Sequence, residues 1–295
     1  MNKRLLLIIN PVAGKMKSKN ALFDIVKVFC DYEFDVSIKL TTRRGHGTEI
    51  FLAEYEKYDL IVCVGGDGTL NEIVRGLIKS GDNIPIGYIP AGSTNDFANS
   101  IGLSSNIKKA AENIAKGEAV FLDIGSFKDA CFTYIASFGA FTSASYSTPQ
   151  ATKNVMGHAA YVLEGIKDLS TIKPVHLKFE ANGQTYEGDY IFGGITNSTS
   201  VGGIVKLKKE LVDMSDGLFE VILIKNPKNL NHLNEIVISL MTSEYMNNKS
   251  IDYFKTSEIK VMTDEKLAWT IDGEYADGSG SFVIKNLKRR LTIIK

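Results

Sequence analysis

The run Cys63–Gly76, CVGGDGTLNEIVRG, sets Gly65, Gly66, Asp67 and Gly68 between a stretch of β-formers and a helical pattern. Glycine at the end of a buried strand lets the backbone approach a ligand closely. The spacing starts a helix near Thr69, whose free N–H groups favour an anion. Asp67 is out of place beside a phosphate unless a cation or a proton donor is also present. Together these residue types point to phosphoryl chemistry with magnesium. Two further loops have the same character, NPVAGK at Asn10–Lys15 and IPAGSTNDFANSIGL at Ile89–Leu103. Asn10, Thr94, Asn95 and Asp96 are small polar groups able to hold phosphate, ribose or water. The second stretch reads equally as a turn in which Ser93 or Thr94 caps a helix over Asn95–Ser100. Late in the chain, WTIDGEYADG carries Asp272 and Glu274. A positioned carboxylate there can take a proton from a hydroxyl nucleophile; the same residues also read as an Asp-Gly turn between strands.

Other chemistries have less support. Neither a G-x-x-x-x-G-K-S/T loop nor a G-x-G-x-x-G fingerprint after the first strand is present. Cys30, Cys63 and Cys131 are odd in number and far apart, and the four histidines are scattered, so neither a disulfide framework, a zinc site nor a Ser-His-Asp triad is expected. Acidic and basic residues balance at 34 each, which gives no bulk signal for nucleic acid. The apolar run Leu5–Ile9 is stopped by Asn10-Pro11 and is too short for a secretory core. No segment approaches the ~18 apolar residues of a membrane span. The expectation is a cytoplasmic chain, soluble or peripheral to a membrane.

The elements that must position these groups follow from periodicity. Leu5–Ile9 and Leu60–Val64 are continuous apolar runs, as in strands buried on both faces. Helical spacing joins Leu22, Ile25, Val26 and Phe29, and again Leu70, Ile73, Val74 and Leu77. Thr48 is placed to cap a helix running to about Lys57, and Ala110–Lys116 is helical. Strand and helix thus alternate through residue 122, which predicts an α/β domain with a Rossmann-like parallel sheet. From 123 to 287 short strands dominate, with Asn182-Gly183 as a hairpin signal. Helices are expected on the stripe Val155–Leu169 and over Leu233–Met246. This second region reads as a β-sandwich-like domain with helical insertions. The final strand, 288–295, is expected to return to the first domain.

GGDGTLNE, with NPVAG, AGSTNDFA and the late DGE, resembles the diacylglycerol kinase catalytic family, which also holds sphingosine and ceramide kinases. Order, spacing and length are most similar to its soluble bacterial branch, across nearly the whole chain. The resemblance implies an ATP- and Mg2+-dependent lipid kinase that makes transient contact with the inner face of the membrane, and it is compatible with a homodimer. Diacylglycerol is the expected acceptor. Phosphatidylglycerol, a sphingoid base or a polyprenol, an NAD kinase-like activity, or a non-catalytic regulator are the alternatives. Carried over by position, the nucleotide set is Asn10, Pro11, Val12, Ala13, Gly14, Thr41, Gly66, Asp67, Gly68, Thr69, Leu70, Asn71, Glu72 and Thr94. The family usually shows two threonines where this chain has Ser93-Thr94, which keeps a hydroxyl. Asp272 falls at the family's catalytic base, with Glu274 beside it and Asp67 as rival base or magnesium ligand. LVDMSDGLFEV resembles a structural metal loop, with the Asp216 carboxylate and the backbone carbonyls of Asp213 and Leu218 as ligands. The segment Phe138–Leu169 corresponds to the family's substrate side. Lys206, Lys208 and Lys209 form a basic cluster near the metal loop.

Overall fold

The structure, a computed structural model, describes residues 2–93, 95–139, 173–201 and 205–295. The chain divides into two compact units, Met1–Ile124 with Lys288–Lys295, and Gly125–Leu287.

The first unit runs β1 (Lys3–Ile9), α1 (Lys17–Asp31), β2 (Phe34–Leu40), α2 (His46–Glu54), β3 (Leu60–Gly65), α3 (Asp67–Ser80), β4 (Ile86–Pro90), α4 (Asp96–Ser100), α5 (Ile107–Lys116) and most of β5 (Ala119–Phe127). Its strands pair in parallel in the order β2-β1-β3-β4, and Ile293 and Ile294 at the chain's end add parallel to Ile86 and Gly87. The continuous apolar runs are explained by burial on both faces. Leu5, Leu7 and Ile9 share a core with Ile25 and Phe29 of α1 and Ala111 of α5, while Leu6 and Ile8, equally buried, point the other way. Because β1 lies between β2 and β3, the winding reverses at the β1–β3 pair. That is where open parallel sheets bind ligands.

The second unit continues with β6 (Ala130–Phe132), β7 (Ile135–Gly139), β8 (Val175–Ala181), β9 (Gln184–Thr196), β10 (Ser200–Val201), β11 (Val205–Lys206), β12 (Phe219–Lys225), α6 (Leu230–Met241), β13 (Ile251–Thr256), β14 (Glu258–Thr263), β15 (Ala268–Ile271), β16 (Glu274–Asp277) and β17 (Gly280–Ile294), whose last residues belong to the first unit. The Asn182-Gly183 hairpin forms as expected, with positive φ at both residues. β9 forks: its first half pairs with β8, and its second half lies between β7 and β12. β12 is buried on both sides. Phe219, Val221 and Leu223 enter an aromatic core with Phe138 and Trp269, whereas Ile222 and Ile224 meet Ile236 and Leu240 of α6. The rings of Phe138 and Trp269 lie 4.9 Å apart, and those of Phe127 and Trp269 5.2 Å.

Several expected helix ends move. α2 ends at Glu54 and a 3-10 turn covers Tyr55–Lys57. α3 begins two residues early, at Asp67. α6 covers Leu230–Met241, followed by a 3-10 turn at Tyr245–Asn247. The stripe Val155–Leu169 lies outside the described residues. Among the described residues no helix is long and apolar enough to cross a membrane.

Candidate active site

Parallel pairing puts the carboxyl ends of β1, β2, β3 and β4 at one edge, and the loops that follow are tied to one another. The Asn10 backbone N–H donates to the Val64 carbonyl at 2.9 Å, and its side-chain amide donates to the Thr69 hydroxyl at 3.2 Å. Asn10 Oδ1 in turn accepts from the Val12 N–H, which closes the NPVAG turn. Thr41 continues β2 by donating to the Ile9 carbonyl at 2.9 Å. Ala91 N–H reaches the Gly65 carbonyl at 2.7 Å. The glycines are required where these loops touch. A Cβ on Gly92 would stand 2.6 Å from Gly66 Cα, and one on Gly14, at φ 53°, would stand 1.9 Å from the Ala91 carbonyl oxygen. Gly92→Ala is therefore expected to cost about 1–3 kcal/mol in a denaturant melt, the range for forcing a methyl into a packed contact.

No side chain among the described residues caps α3 at Gly66, and the Thr69 N–H turns back to the Gly66 carbonyl at 3.0 Å; a helix start of this kind favours an anion. Asp67 turns toward α4. Its carboxylate accepts from the backbone N–H groups of Asp96 at 2.9 Å and Phe97 at 3.3 Å, and from the Tyr88 hydroxyl at 3.4 Å. Asp67 thus caps α4, where local spacing predicts Ser93 or Thr94 as the cap. The residue before α4 is Asn95, which takes the left-handed conformation and makes no side-chain cap. Its side chain instead closes the loop on both backbone groups of Gly92, at 2.9 and 3.1 Å. Cys63 is buried beneath the turn, where burial, then the charges of Glu72 and Asp67, hold its thiol well above the usual range.

The second carboxylate is built differently. Asp272 and Gly273 join β15 to β16 with φ values of 47° and 85°, as in a type I′ hairpin turn. The turn carries Asp272 inward, leaving it 5% exposed. Its Oδ2 accepts from the Thr133 N–H at 2.6 Å and the Thr133 hydroxyl at 2.8 Å. Its Oδ1 accepts from the N–H groups of Tyr134 and Ile135, both at 3.1 Å. Burial pushes the carboxyl above the usual aspartate range, while these donors pull it down. Glu274, half-buried, opens β16 opposite Ile271.

The comparisons with known proteins bear on this arrangement. Residues 4–127 match the Diacylglycerol kinase catalytic domain, and residues 136–294 match the YegS C-terminal NAD kinase beta sandwich-like domain. The diacylglycerol kinase of Bacillus subtilis (strain 168) is 33% identical over 99% of this chain and 96% of its own. That of Staphylococcus aureus (strain MRSA252) is 31% identical over 99% and 92%. The chain belongs to the diacylglycerol kinase family. It is a lipid kinase. A crystal structure from Bacillus anthracis str. Sterne superimposes on the kinase with a TM-score of 0.80 at 26% identity, covering 99% of this chain and 95% of that one. A crystal structure of a diacylglycerol kinase from the same organism gives 0.76 at 24%, covering 99% and 97%, and supports the fold alone.

Not every residue of the kinase's expected nucleotide set offers the edge a side chain. Val12 and Gly68 are exposed, and Asn10, Pro11, Gly14, Gly66 and Asp67 half-buried. Ala13, Thr41, Thr69 and Asn71 are buried, and Leu70 is wholly within the inner stripe of α3. Thr94 lies outside the described residues. Glu72 has partners of its own: its carboxylate accepts from the N–H groups of Gly45 at 2.6 Å and Gly47 at 2.8 Å. Thr48, expected as a cap, sits inside α2 and donates to the Glu72 carbonyl at 2.6 Å. Glu72 thus fastens the loop after β2 to α3. Glu72→Gln swaps one acceptor for a donor facing a donor, and is expected to cost about 1.5–3 kcal/mol of unfolding free energy, read in urea.

At the expected metal loop of the kinase, Asp213 accepts from Ser215 through both its N–H and its hydroxyl, at 2.9 and 2.8 Å. Asp216 Oδ1 accepts from the Leu218 N–H at 2.8 Å, and its Oδ2 lies 3.7 Å from the Lys255 ammonium. That ammonium is closer, 3.1 Å, to buried Glu220, whose carboxyl burial raises to about 7. Asp216 with the backbone carbonyls of its loop is an all-oxygen donor set, the kind that suits a hard divalent ion. Among the described residues no group of three or more His, Cys, Asp or Glu could hold a metal; a set of one carboxylate and two carbonyls is not of that kind. Sequence reasoning missed Thr133, Tyr134 and Ile135, because three backbone N–H donors leave no mark in residue type.

Proposed function

We propose that the kinase transfers the γ-phosphate of ATP to the hydroxyl of diacylglycerol, giving phosphatidic acid. The observation that carries this reading is the glycine start of α3, packed at the Gly66–Gly92 contact and standing at the sheet's winding reversal. Asn10–Gly14, Thr41, Gly66–Glu72 and Thr94 hold the nucleotide, largely through backbone groups, since glycine-lined turns admit phosphate closely. Glu72 acts there by fixing the loop after β2. Asp272 is the general base. Four donors among the described residues hold its carboxylate, which is thereby oriented before substrate arrives. Of these described donors, three are backbone N–H groups and the Thr133 hydroxyl can rotate away, freeing a lone pair on Oδ2 for the lipid hydroxyl. The proton passes to Oδ2 as the new oxygen–phosphorus bond forms and the bond to the leaving ADP breaks.

When bound, Mg2+ supplies charge neutralisation at the triphosphate. Asp67 is the candidate carboxylate for it among the nucleotide loops and Glu274 the one beside Asp272, and Asp216 with the carbonyls of Asp213 and Leu218 would hold a structural ion. The lipid requires transient contact with the inner face of the membrane.

The test is transfer of labelled γ-phosphate to diacylglycerol, phosphatidylglycerol, a sphingoid base and a polyprenol in mixed micelles, with NAD in a parallel assay. The highest kcat/KM is expected for diacylglycerol. A higher value for another lipid reassigns the substrate. Labelling of NAD alone, or nucleotide binding without turnover, ends the proposal.

A further inference from the structure

Strand β12 carries an acid where its neighbours are apolar. Phe219 and Val221 enter the aromatic core, and on the opposite face Glu220 precedes Ile222 and Ile224, which meet Ile236 and Leu240 of α6. The Glu220 side chain is 0% exposed. A carboxylate buried in such a layer is costly unless a partner is held against it. That partner is Lys255. The two residues stand directly opposite in the β12–β13 pairing, and the ammonium lies 3.1 Å from Glu220 Oε1. The backbone beneath Lys255 is fixed as well. Its carbonyl accepts from the Asn182 amide at 2.7 Å, and the Thr256 hydroxyl donates to the oxygen of the same Asn182 side chain at 3.2 Å.

The same ammonium is turned toward the loop that carries Asp216. It lies 3.7 Å from Asp216 Oδ2, too far for a hydrogen bond and near enough for its charge to be felt. Asp216 Oδ1 accepts from the Leu218 N–H, so Oδ2 is the oxygen left for a cation, and it is the one Lys255 faces. Asp216 is the single carboxylate of the expected ligand set. An ammonium beside it opposes a divalent ion, because the two cations are drawn to one oxygen and repel each other. Glu220 acts in the other direction. It holds the ammonium on the strand, nearer to itself than to Asp216, and its own charge offsets part of the repulsion. Lys255 is 31% and Asp216 27% exposed, so water screens these effects only in part.

We propose that Lys255, anchored on Glu220, is a built-in counter-cation that keeps the Asp216 loop from holding its divalent ion tightly, so that occupancy of the loop follows the free Mg2+ concentration. This rests on the reading of Asp216 with the carbonyls of Asp213 and Leu218 as the ion's ligands, and the experiment separates the two. The full chain, without nucleotide, is titrated with Mg2+ in a calorimeter and with Mn2+ by electron paramagnetic resonance of the free ion, and Asp216→Asn marks the binding that belongs to the loop. Lys255→Met is expected to tighten that binding about tenfold and Glu220→Gln to weaken it about threefold, the scale of one partly screened charge nearby. The double variant returns close to the wild type, since both charges are gone, and neutral side chains of similar size commonly replace a buried ion pair without loss of the fold. A thermal melt of each variant reports that fold. Should Lys255→Met not fold, Lys255→Gln, which can still donate to Glu220, carries the same expectation. The opposite signs are decisive, because a pair that only supports the fold makes neither single variant bind more tightly. Affinity at or below that of the wild type in the folded Lys255 variant, or tighter binding in Glu220→Gln, overturns the inference while the ligand reading stands. Ion binding that Asp216→Asn leaves unchanged shows that the loop is not the site, and then both fall.

Discussion

Replacing Asp272 by asparagine lowers kcat by about 10²–10⁴-fold, the usual share of a positioned general base, while ATP binding is retained. The geometry explains why asparagine is informative. The four described partners of the carboxylate are donors. Asparagine keeps one acceptor oxygen and turns an NH2 group toward the others, so it removes the base and weakens the local packing of hydrogen bonds. A thermal melt separates the two effects: a fall in Tm of a few degrees with a far larger fall in kcat identifies the chemistry. The pH profile adds an independent sign. The base must be ionised, so kcat rises with pH as Asp272 loses its proton. Because burial raises its carboxyl, that limb lies at higher pH than an ordinary aspartate would give. In Asp272→Asn the limb disappears.

Asp67→Ala is expected to lower kcat/KM for ATP by about 10²-fold, on the scale of losing a preorganised charged contact. The carboxylate joins two loops of the sheet edge, since it accepts from Asp96 and Phe97 at the start of α4. Alanine leaves those two N–H groups without that acceptor and loosens the Ala91–Asn95 turn against Gly66. Asp67→Asn distinguishes capping from charge. Its carbonyl can still accept from Asp96, so a capping role alone predicts partial recovery of kcat/KM. A role toward Mg2+–ATP predicts that asparagine is as poor as alanine and that the loss grows as Mg2+ is lowered.

The parallel sheet was legible because β1 and β3 are buried on both faces, and only uninterrupted apolar runs satisfy that. The second unit was legible through its turns, since Asn182-Gly183 permits the two positive φ values a tight hairpin demands. Helix starts were less legible. Asp67 caps a helix 29 residues away, and Glu72 fastens the start of one 25 residues back. Long-range partners of that kind overrule a local capping pattern. The glycine loops of the candidate site could be found because close backbone contact, as between Gly66 and Gly92, tolerates one residue type. The support of Asp272 could not, because Thr133–Ile135 contribute mainly backbone. The two readings of Asp272-Gly273 also do not exclude each other. It is a hairpin turn, and the turn is what carries the carboxylate into the fold.

The most direct measurement is to supply the full chain with γ-labelled ATP, Mg2+ and diacylglycerol, extract the lipids, and identify the labelled product, with Asp272→Asn and its ATP affinity measured alongside. The result expected is label in phosphatidic acid for the wild type, and little or none for Asp272→Asn despite ATP affinity near that of the wild type. Label in phosphatidic acid at the wild-type rate from Asp272→Asn, or none in any lipid from the wild type, would contradict the account.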